Sequence, residues 1–369
     1  MPESLTWVEV NRAALQNNVR QMKTLTHTRV MAVVKADAYG HGAGEVARAV
    51  AQAGADWLGV ARCDEGLRLR GNGLHLPILV LGYTPPVNLH EAALARLSIT
   101  LCDLETAHAC AQIGQALGRP ISVQIKVDTG MGRLGVLPNA ALEFVSAVSQ
   151  LAGLTVEGLF THFAGSDLAD LTSAQAQLKQ FEAIVATLTA RGQRPPVIHA
   201  ANSAAAFALP AARYDLVRMG IALYGLHPSD EVPCPPSFIP ALTWKARVAQ
   251  VKTLPAGHGV SYGAEYRTTQ PERVAVIPVG YGDGFRRVPK NVNEVLLHGQ
   301  RAKVLGRVCM DQIIVGVNHL PAVAPGDEVV LVGKQGEAEI SAEAVARRWG
   351  TINYDVVTGI MARVERRYV

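Results

Sequence analysis

The sequence predicts an α/β protein: a (β/α)8 barrel resembling the TIM barrel, followed by a smaller, mostly-β domain. Three observations carry this. Over roughly the first 230 residues, short apolar runs alternate eight times with helical patterns. Polar and charged side chains recur at the ends of those runs, where the βα-loops of a barrel build a site. After the proline-rich stretch "VPCPPSFIP" (232–240) the pattern becomes short-period and β-like.

The elements follow in order. Asn11 reads as a helix N-cap, with Leu15, Val19 and Met22 on one face of the helix behind it. Strands are expected at 30–35, 57–61, 78–82, 98–102, 121–127, 156–162, 197–200 and 214–218, with helices such as 44–53, 104–117, 139–151 and 173–190 between them. An open doubly wound sheet would more often show a glycine-rich dinucleotide fingerprint after its first strand, and none is present. The expected division is 1–235 for the barrel and 236–369 for the second domain. In the latter, "WKARVAQVKTL", "RVAVIPVGYGDGF", "AKVLGRVCMDQIIVGV" and "DEVVLVG" read as strands broken by glycine and proline. The strand-like "LTWVEV" near the start is a candidate to pair with them.

Composition narrows the class. Hydrophobic content of 49%, 18% charged residues and a net charge of +4 describe an ordinary globular chain. No basic block suggests nucleic acid, and no apolar stretch approaches the roughly 18 residues of a membrane span. The 5 cysteines form no CxxC pair, which argues against a disulfide framework or zinc site and fits a reducing compartment. With no visible signal peptide, a cytoplasmic protein is expected. The 11 histidines make no HExxH and no close ligand trio, so no metal is expected. Neither a GxSxG elbow nor a Walker loop is present.

The strand ends carry the chemistry. Lys35 ends the first expected strand, Lys126 and Asp128 the fifth, His162 the sixth and Arg218 the eighth, while Asn202 and Ser203 follow the seventh. In "ISVQIKVD" the apolar residues alternate, so Ser122, Gln124, Lys126 and Asp128 share the other face; Lys126 and Asp128 are expected to point into the barrel. A lysine there must be paired or modified, because an isolated buried charge is costly. The loop "DTGMGRLG" can turn Arg133 over the pocket, where a guanidinium suits a carboxylate. "HAANS" and "RMGIALYG" offer Ser203 and the Gly220 and Ile221 amides as anion ligands, although Asn202 or Ser203 could simply cap a helix. Tyr262, Cys309, Met310 and Asp311 interrupt β-like runs, as turn and core residues also do.

Taken in series, "AVVKADAYGHG", "KVDTGMGRLG", "THFAGSD", "HAANSAA", "VRMGIALYG", "GVSYGAEY", "GYGDGF" and "GRVCMDQ" resemble the alanine racemase family across essentially the whole chain. The resemblance implies a homodimeric, pyridoxal 5'-phosphate-dependent isomerase that interconverts L- and D-alanine by two bases and supplies D-alanine for peptidoglycan. It makes Lys35 the cofactor-binding lysine and one base, and Tyr262 the other base. Tyr39, Ser203, Gly220, Ile221 and Tyr354 match the phosphate site. Arg218 matches the arginine at the pyridine nitrogen, His162 the histidine beside it, and Arg133 the contact to the phenolic oxygen and substrate carboxylate. Lys126 corresponds to a lysine often carbamylated, while Tyr262 and Met310 are implied to come from the second subunit. Asp37, Met219 and Asp355 depart from the family's usual Asn, Pro and Glu; Asp37 places a carboxylate where it could weaken phosphate binding. Alternatives are a racemase of another small amino acid, a related decarboxylase, or a non-catalytic cofactor carrier on the same barrel.

Overall fold

The computed structural model describes residues 4–288, 292–320 and 322–369. The chain forms two compact units. One comprises Ala13–Ala38 and Gly42–Ile239; the other comprises the described residues up to Arg12, Tyr39–His41 and the described residues of Pro240–Val369. Of the span 1–235 expected for the barrel, the residues up to Arg12 and a short segment after Ala38 belong to the second unit instead.

The strand of that second unit which comes first in the chain is β1 (Thr6–Val10). The barrel unit holds eight parallel strands: β2 (Arg29–Val33), β3 (Trp57–Val60), β4 (Ile78–Val80), β5 (Ser98–Leu101), β6 (Ile121–Lys126), β7 (Leu154–Phe160), β8 (Val197–His199) and β9 (Leu216–Met219). They run in the order β8-β7-β6-β5-β4-β3-β2-β9, every neighbouring pair parallel. The ring closes between β8 and β9 through the amides of Asp215 and Arg218, which donate to Ile198 and Ala201 oxygens at 3.0 Å each. Met31, Trp57, Leu79, Phe160, Val197 and Leu216 pack in the core of this unit. Burying side chains of this size contributes about 1.5–3 kcal/mol each. Helices such as Leu104–Ala116 begin on a cap, here Asp103, whose carboxylate accepts from the Thr106 amide at 2.7 Å. The expected strands hold, with the first ending at Val33 instead of 35 and the last running Leu216–Met219.

In the second unit β1 pairs antiparallel with β10 (Leu242–Arg247) and parallel with β20 (Glu365–Tyr368), so "LTWVEV" does join the C-terminal sheet. That sheet runs β16-β15-β18-β10-β1-β20, with β15 at Glu294–Leu297, β16 at Gln300–Lys303 and β18 at Glu328–Gln335; β19 (Ala338–Ile340) pairs with β18. A three-stranded sheet holds β11 (Gln250–Leu254), β14 (Glu272–Ile277) and β17 (Ile313–Gly316), and β12 (Gly259–Val260) pairs with β13 (Tyr266–Arg267). Trp244, Phe285 and Trp349 stack edge-on through this unit at 6.1 and 5.7 Å. Two helices, Ala342–Trp349 and Asn353–Thr358, depart from the all-strand pattern read beyond the prolines. Ser341 caps the first and Gly350, at φ 66°, ends it.

Candidate active site

Lys35 lies two residues beyond β2, where the chain turns abruptly left-handed. Ala36, Asp37 and Ala38 have φ of 51°, 52° and 54°, with ψ near the same values, and Tyr39 follows at φ 53°. Such a conformation costs about 1–2 kcal/mol per L-residue, so other bonds must hold it. The Ala36 amide donates to Glu65 Oε1 at 2.7 Å, and Glu65 Oε2 accepts from Ala61 (2.7 Å) and Arg62 (3.2 Å). The Ala38 amide returns to Val34 oxygen, and the Gly42 amide to Asp37 oxygen, at 2.9 Å each. The Asp37 carboxylate accepts from the Ala43 amide at 2.8 Å, anchoring the start of the helix Ala43–Gln52. Glu65 was not legible as a site residue: it sits in a helical run and its partners are main-chain amides.

Around the C-terminal rim the charges converge. Burial lowers the His162 imidazole well below its ordinary range, and Arg218, Arg133, Lys126 and Lys35 push in the same direction. Burial and then Arg133 lower Lys35, with Glu65 opposing. Lys126 is lowered to about 8 by burial, Arg133 and Arg218. Four cations thus share one neutral imidazole, a field made for an anion.

Both terminal nitrogens of Arg218 are taken up by acceptors. Its Nη2 donates to Thr161 oxygen (2.8 Å), Ala200 oxygen (2.8 Å) and His162 Nδ1 (3.1 Å), and its Nη1 to His199 Nδ1 at 2.9 Å. Arginine only donates, so both Nδ1 atoms accept and each ring carries its proton on Nε2. His199 Nε2 then donates to Gln124 Oε1 at 2.7 Å, and Gln124 Nε2 donates to Glu157 Oε1 at 3.2 Å. The opposite amide orientation of Gln124 would set donor against donor. This line crosses the barrel from Arg218 down to a half-buried carboxylate. Gly158 makes room for it, since a Cβ there would lie 2.8 Å from the Gln124 side chain. His199 stacks on Phe160 at 4.7 Å. Gln124 lies on the strand face marked by the alternation of "ISVQIKVD"; His199, in "HAANS", carried no signal of its own.

Asp128 corrects the reading that paired it with Lys126 inside the barrel. Lys126 is buried, but β6 ends with it, and the Asp128 carboxylate folds onto its own loop. It accepts from the amides of Gly130, Met131, Gly132 and Arg133 at 2.8–3.1 Å. Burial alone would raise its pKa; the four amides outweigh that and lower it. The "DTGMGRLG" loop is thereby rigid, with the exposed Arg133 at its end.

Ser203 opens the short helix Ser203–Ala208, which Asn202 caps by accepting from the Ala205 amide at 2.9 Å. Ser203 Oγ accepts from the amides of Gly220 (2.9 Å) and Ala222 (3.3 Å). A hydroxyl with both lone pairs engaged keeps its proton to donate. In the other unit Tyr39 is buried beside Tyr354, with ring centroids 6.1 Å apart. Tyr262 and Met310 stand 63% and 52% exposed there. Asp355 accepts from Thr351 Oγ1 at 2.6 Å and pairs with Arg286. Among the described residues no group of His, Cys, Asp and Glu is placed to hold a metal, and no helix is long and apolar enough to cross a membrane.

An eight-stranded parallel barrel with cations gathered at its C-terminal rim, followed by a β-rich unit, is the plan of a barrel enzyme. Family models for the alanine racemase N-terminal domain and C-terminal domain match residues 10–228 and 241–368. The alanine racemase of Symbiobacterium thermophilum is 46% identical over 364 residues, covering 98% of this chain and 97% of that one. Among solved structures, the alanine racemase of Clostridium difficile 630 superposes with a TM-score of 0.94 at 38% identity, over 100% of this chain and 97% of the other. That of Streptomyces coelicolor A3(2) gives 0.94 at 42%, over 99% and 98%. The chain belongs to the alanine racemase family.

Proposed function

We propose that the protein interconverts L- and D-alanine with pyridoxal 5'-phosphate, as a cytoplasmic homodimer, providing D-alanine for peptidoglycan. The observation that carries this is His162 held at the barrel rim, its Nδ1 3.1 Å from Arg218 Nη2, with Lys35, Lys126 and Arg133 near enough to disfavour a charge on it. The donor set fits the cofactor: cations outnumber the carboxylates near them, and Ser203 keeps a proton to give. Lys35 would hold its aldehyde carbon, Arg218 and His162 its ring, and Arg133 its phenolic oxygen and the substrate carboxylate. Ser203, the Ile221 amide and, once it leaves Ser203 Oγ, the Gly220 amide would hold its phosphate, the role the family resemblance also gives Tyr39 and Tyr354. Bound there, pyridoxal phosphate supplies an electron sink that makes the Cα proton of an attached amino acid acidic.

The chain's own residues then move the proton. Lys35 Nζ, its pKa depressed by burial and Arg133, takes or returns it on the face that serves D-alanine. Tyr262 Oη does so on the opposite face for L-alanine. Arg218, still protonated at neutral pH although burial lowers its pKa to about 9, is a poor proton donor to a ring nitrogen and so restrains electron withdrawal into the ring. Lys126, half neutral near pH 8, can add carbon dioxide and release a proton, becoming a carbamate beside Arg133 and Arg218. By the family resemblance Tyr262 and Met310, both exposed, would be buried against a second copy of the chain and complete its barrel site. All 5 cysteines are free, as a reducing cytoplasm would keep them.

Purified protein with added pyridoxal phosphate should exchange the Cα proton of L-alanine in deuterated water and accumulate D-alanine. Faster turnover of serine or lysine would change the substrate. No exchange with any amino acid would sink the proposal.

A further inference from the structure

We infer that Ser261 is a positioning residue for Tyr262: it holds the tyrosine on a strained turn clamped to the Arg307–Cys309 segment. The catalytic half of this rests on the function proposed above; the structural half does not. Ser261 has φ 61° and ψ −172°, a region open in practice only to glycine. The residues after Tyr262 stay in unusual backbone, Gly263 at φ 76° and Ala264 at φ 44°. An L-residue persists at such a position only where its surroundings over-determine it.

They do so here from both sides. Ser261 Oγ donates to the Arg307 oxygen at 2.6 Å. Its single proton is spent there, so the Cys309 thiol, 3.3 Å from Oγ and 4.0 Å from the Arg307 oxygen, is the donor of that pair and bonds the same two atoms. The Arg307 guanidinium also pairs with Glu265, so one residue grips the chain immediately before Tyr262 and three positions after it. Close approach requires Gly306, at φ 69°, where a Cβ would lie 2.6 Å from the Val260 oxygen. The segment so clamped continues into Met310, whose oxygen accepts from the Gly282 amide at 2.8 Å. One hydroxyl therefore ties the residue before Tyr262 to the residue before Met310. Nothing about a serine as a hydrogen-bonding residue requires a glycine-only conformation, so the bonds it makes must outweigh that strain.

The test compares Ser261→Ala and Ser261→Gly, both lacking the hydroxyl, only the second relieved of strain. Melting temperature and urea midpoint, measured without cofactor, should place the glycine variant above the alanine variant, reversing the usual order. In the holoenzyme both should lose kcat by about 10- to 100-fold with KM nearly unchanged. The isotope effect from deuterium at Cα should rise with L-alanine and fall with D-alanine, whose abstraction by Lys35 then precedes the slow step. An alanine variant more stable than the glycine variant would show that no strain is stored there. Full kcat in the alanine variant, with both variants folded, would show that the clamp does not position the tyrosine. Either result overturns the inference. If Tyr262→Phe is itself fully active, the role proposed for the tyrosine has failed instead, and the order of stabilities still decides whether the clamp exists.

Discussion

Arg218 Nη2 donates to His162 Nδ1 at 3.1 Å, which leaves the imidazole neutral with its one proton on Nε2. The same guanidinium fills His199 Nδ1 and three main-chain oxygens, of Thr161, His199 and Ala200. Two rings thus owe their tautomers to one arginine, and Gln124 and Glu157 complete the line below it.

Arg218→Lys is therefore not a conservative change. A lysine offers three donors on a point charge and cannot span that fork. Buried acceptors left unpaired should cost about 2–4 kcal/mol of stability, read by urea unfolding. The ring nitrogens of His199 should lose their single-tautomer signature in nitrogen-15 spectra. A variant as stable as the parent, with that signature intact, would contradict the account.

Glu65→Ala frees three amides at once, those of Ala36, Ala61 and Arg62. We expect a loss of about 2–4 kcal/mol and no rescue by glutamine, whose amide would turn a donor toward a donor. Glu65 also raises the Lys35 pKa, so its removal should shift the acidic limb of kcat/KM to lower pH. A limb that stays in place would separate Glu65 from the lysine.

Lys126 makes stability depend on pH in a defined direction. Its folded value, about 8, lies below the ordinary 10.5. Below pH 8 both states are protonated and the fold bears the full cost of a buried cation. From about 8 to 10.5 the unfolded chain still binds a proton that the native state has lost, so stability rises with pH. Lys126→Met should stabilise the protein by about 3 kcal/mol below pH 8 and converge with the parent above 10.5. With carbon-13 bicarbonate present, the parent should show a carbamate carbonyl resonance that the variant lacks.

Lys35→Ala should abolish the absorbance of lysine-bound cofactor and lower the rate by about 10³-fold or more. Persistence of the band would assign another lysine. Tyr262→Phe should raise the deuterium isotope effect for L-alanine, and full activity would remove the tyrosine from the mechanism.

Much was legible from local pattern. Alternation in "ISVQIKVD" fixed the face of β6 on which Gln124 and Lys126 lie, because strand geometry repeats every two residues. Eight strand–helix units placed Lys35, His162 and Arg218 at one rim, since parallel strands all end on the same side. The same rule failed at Asp128, where the strand had already ended and four amides drew the carboxylate onto its loop. Nothing in "KADAY" announces a left-handed turn: alanine has no preference for it, and the bonds that hold it come partly from Glu65, 29 residues from the amide it binds. Likewise Arg218, His199, Gln124 and Glu157 stand on four strands, and only barrel closure brings them into line. The sequence determined which side chains face the barrel and where the chain changes character. The tertiary structure decided which of them share protons and charge, because hydrogen bonds and fields depend on distances across the fold.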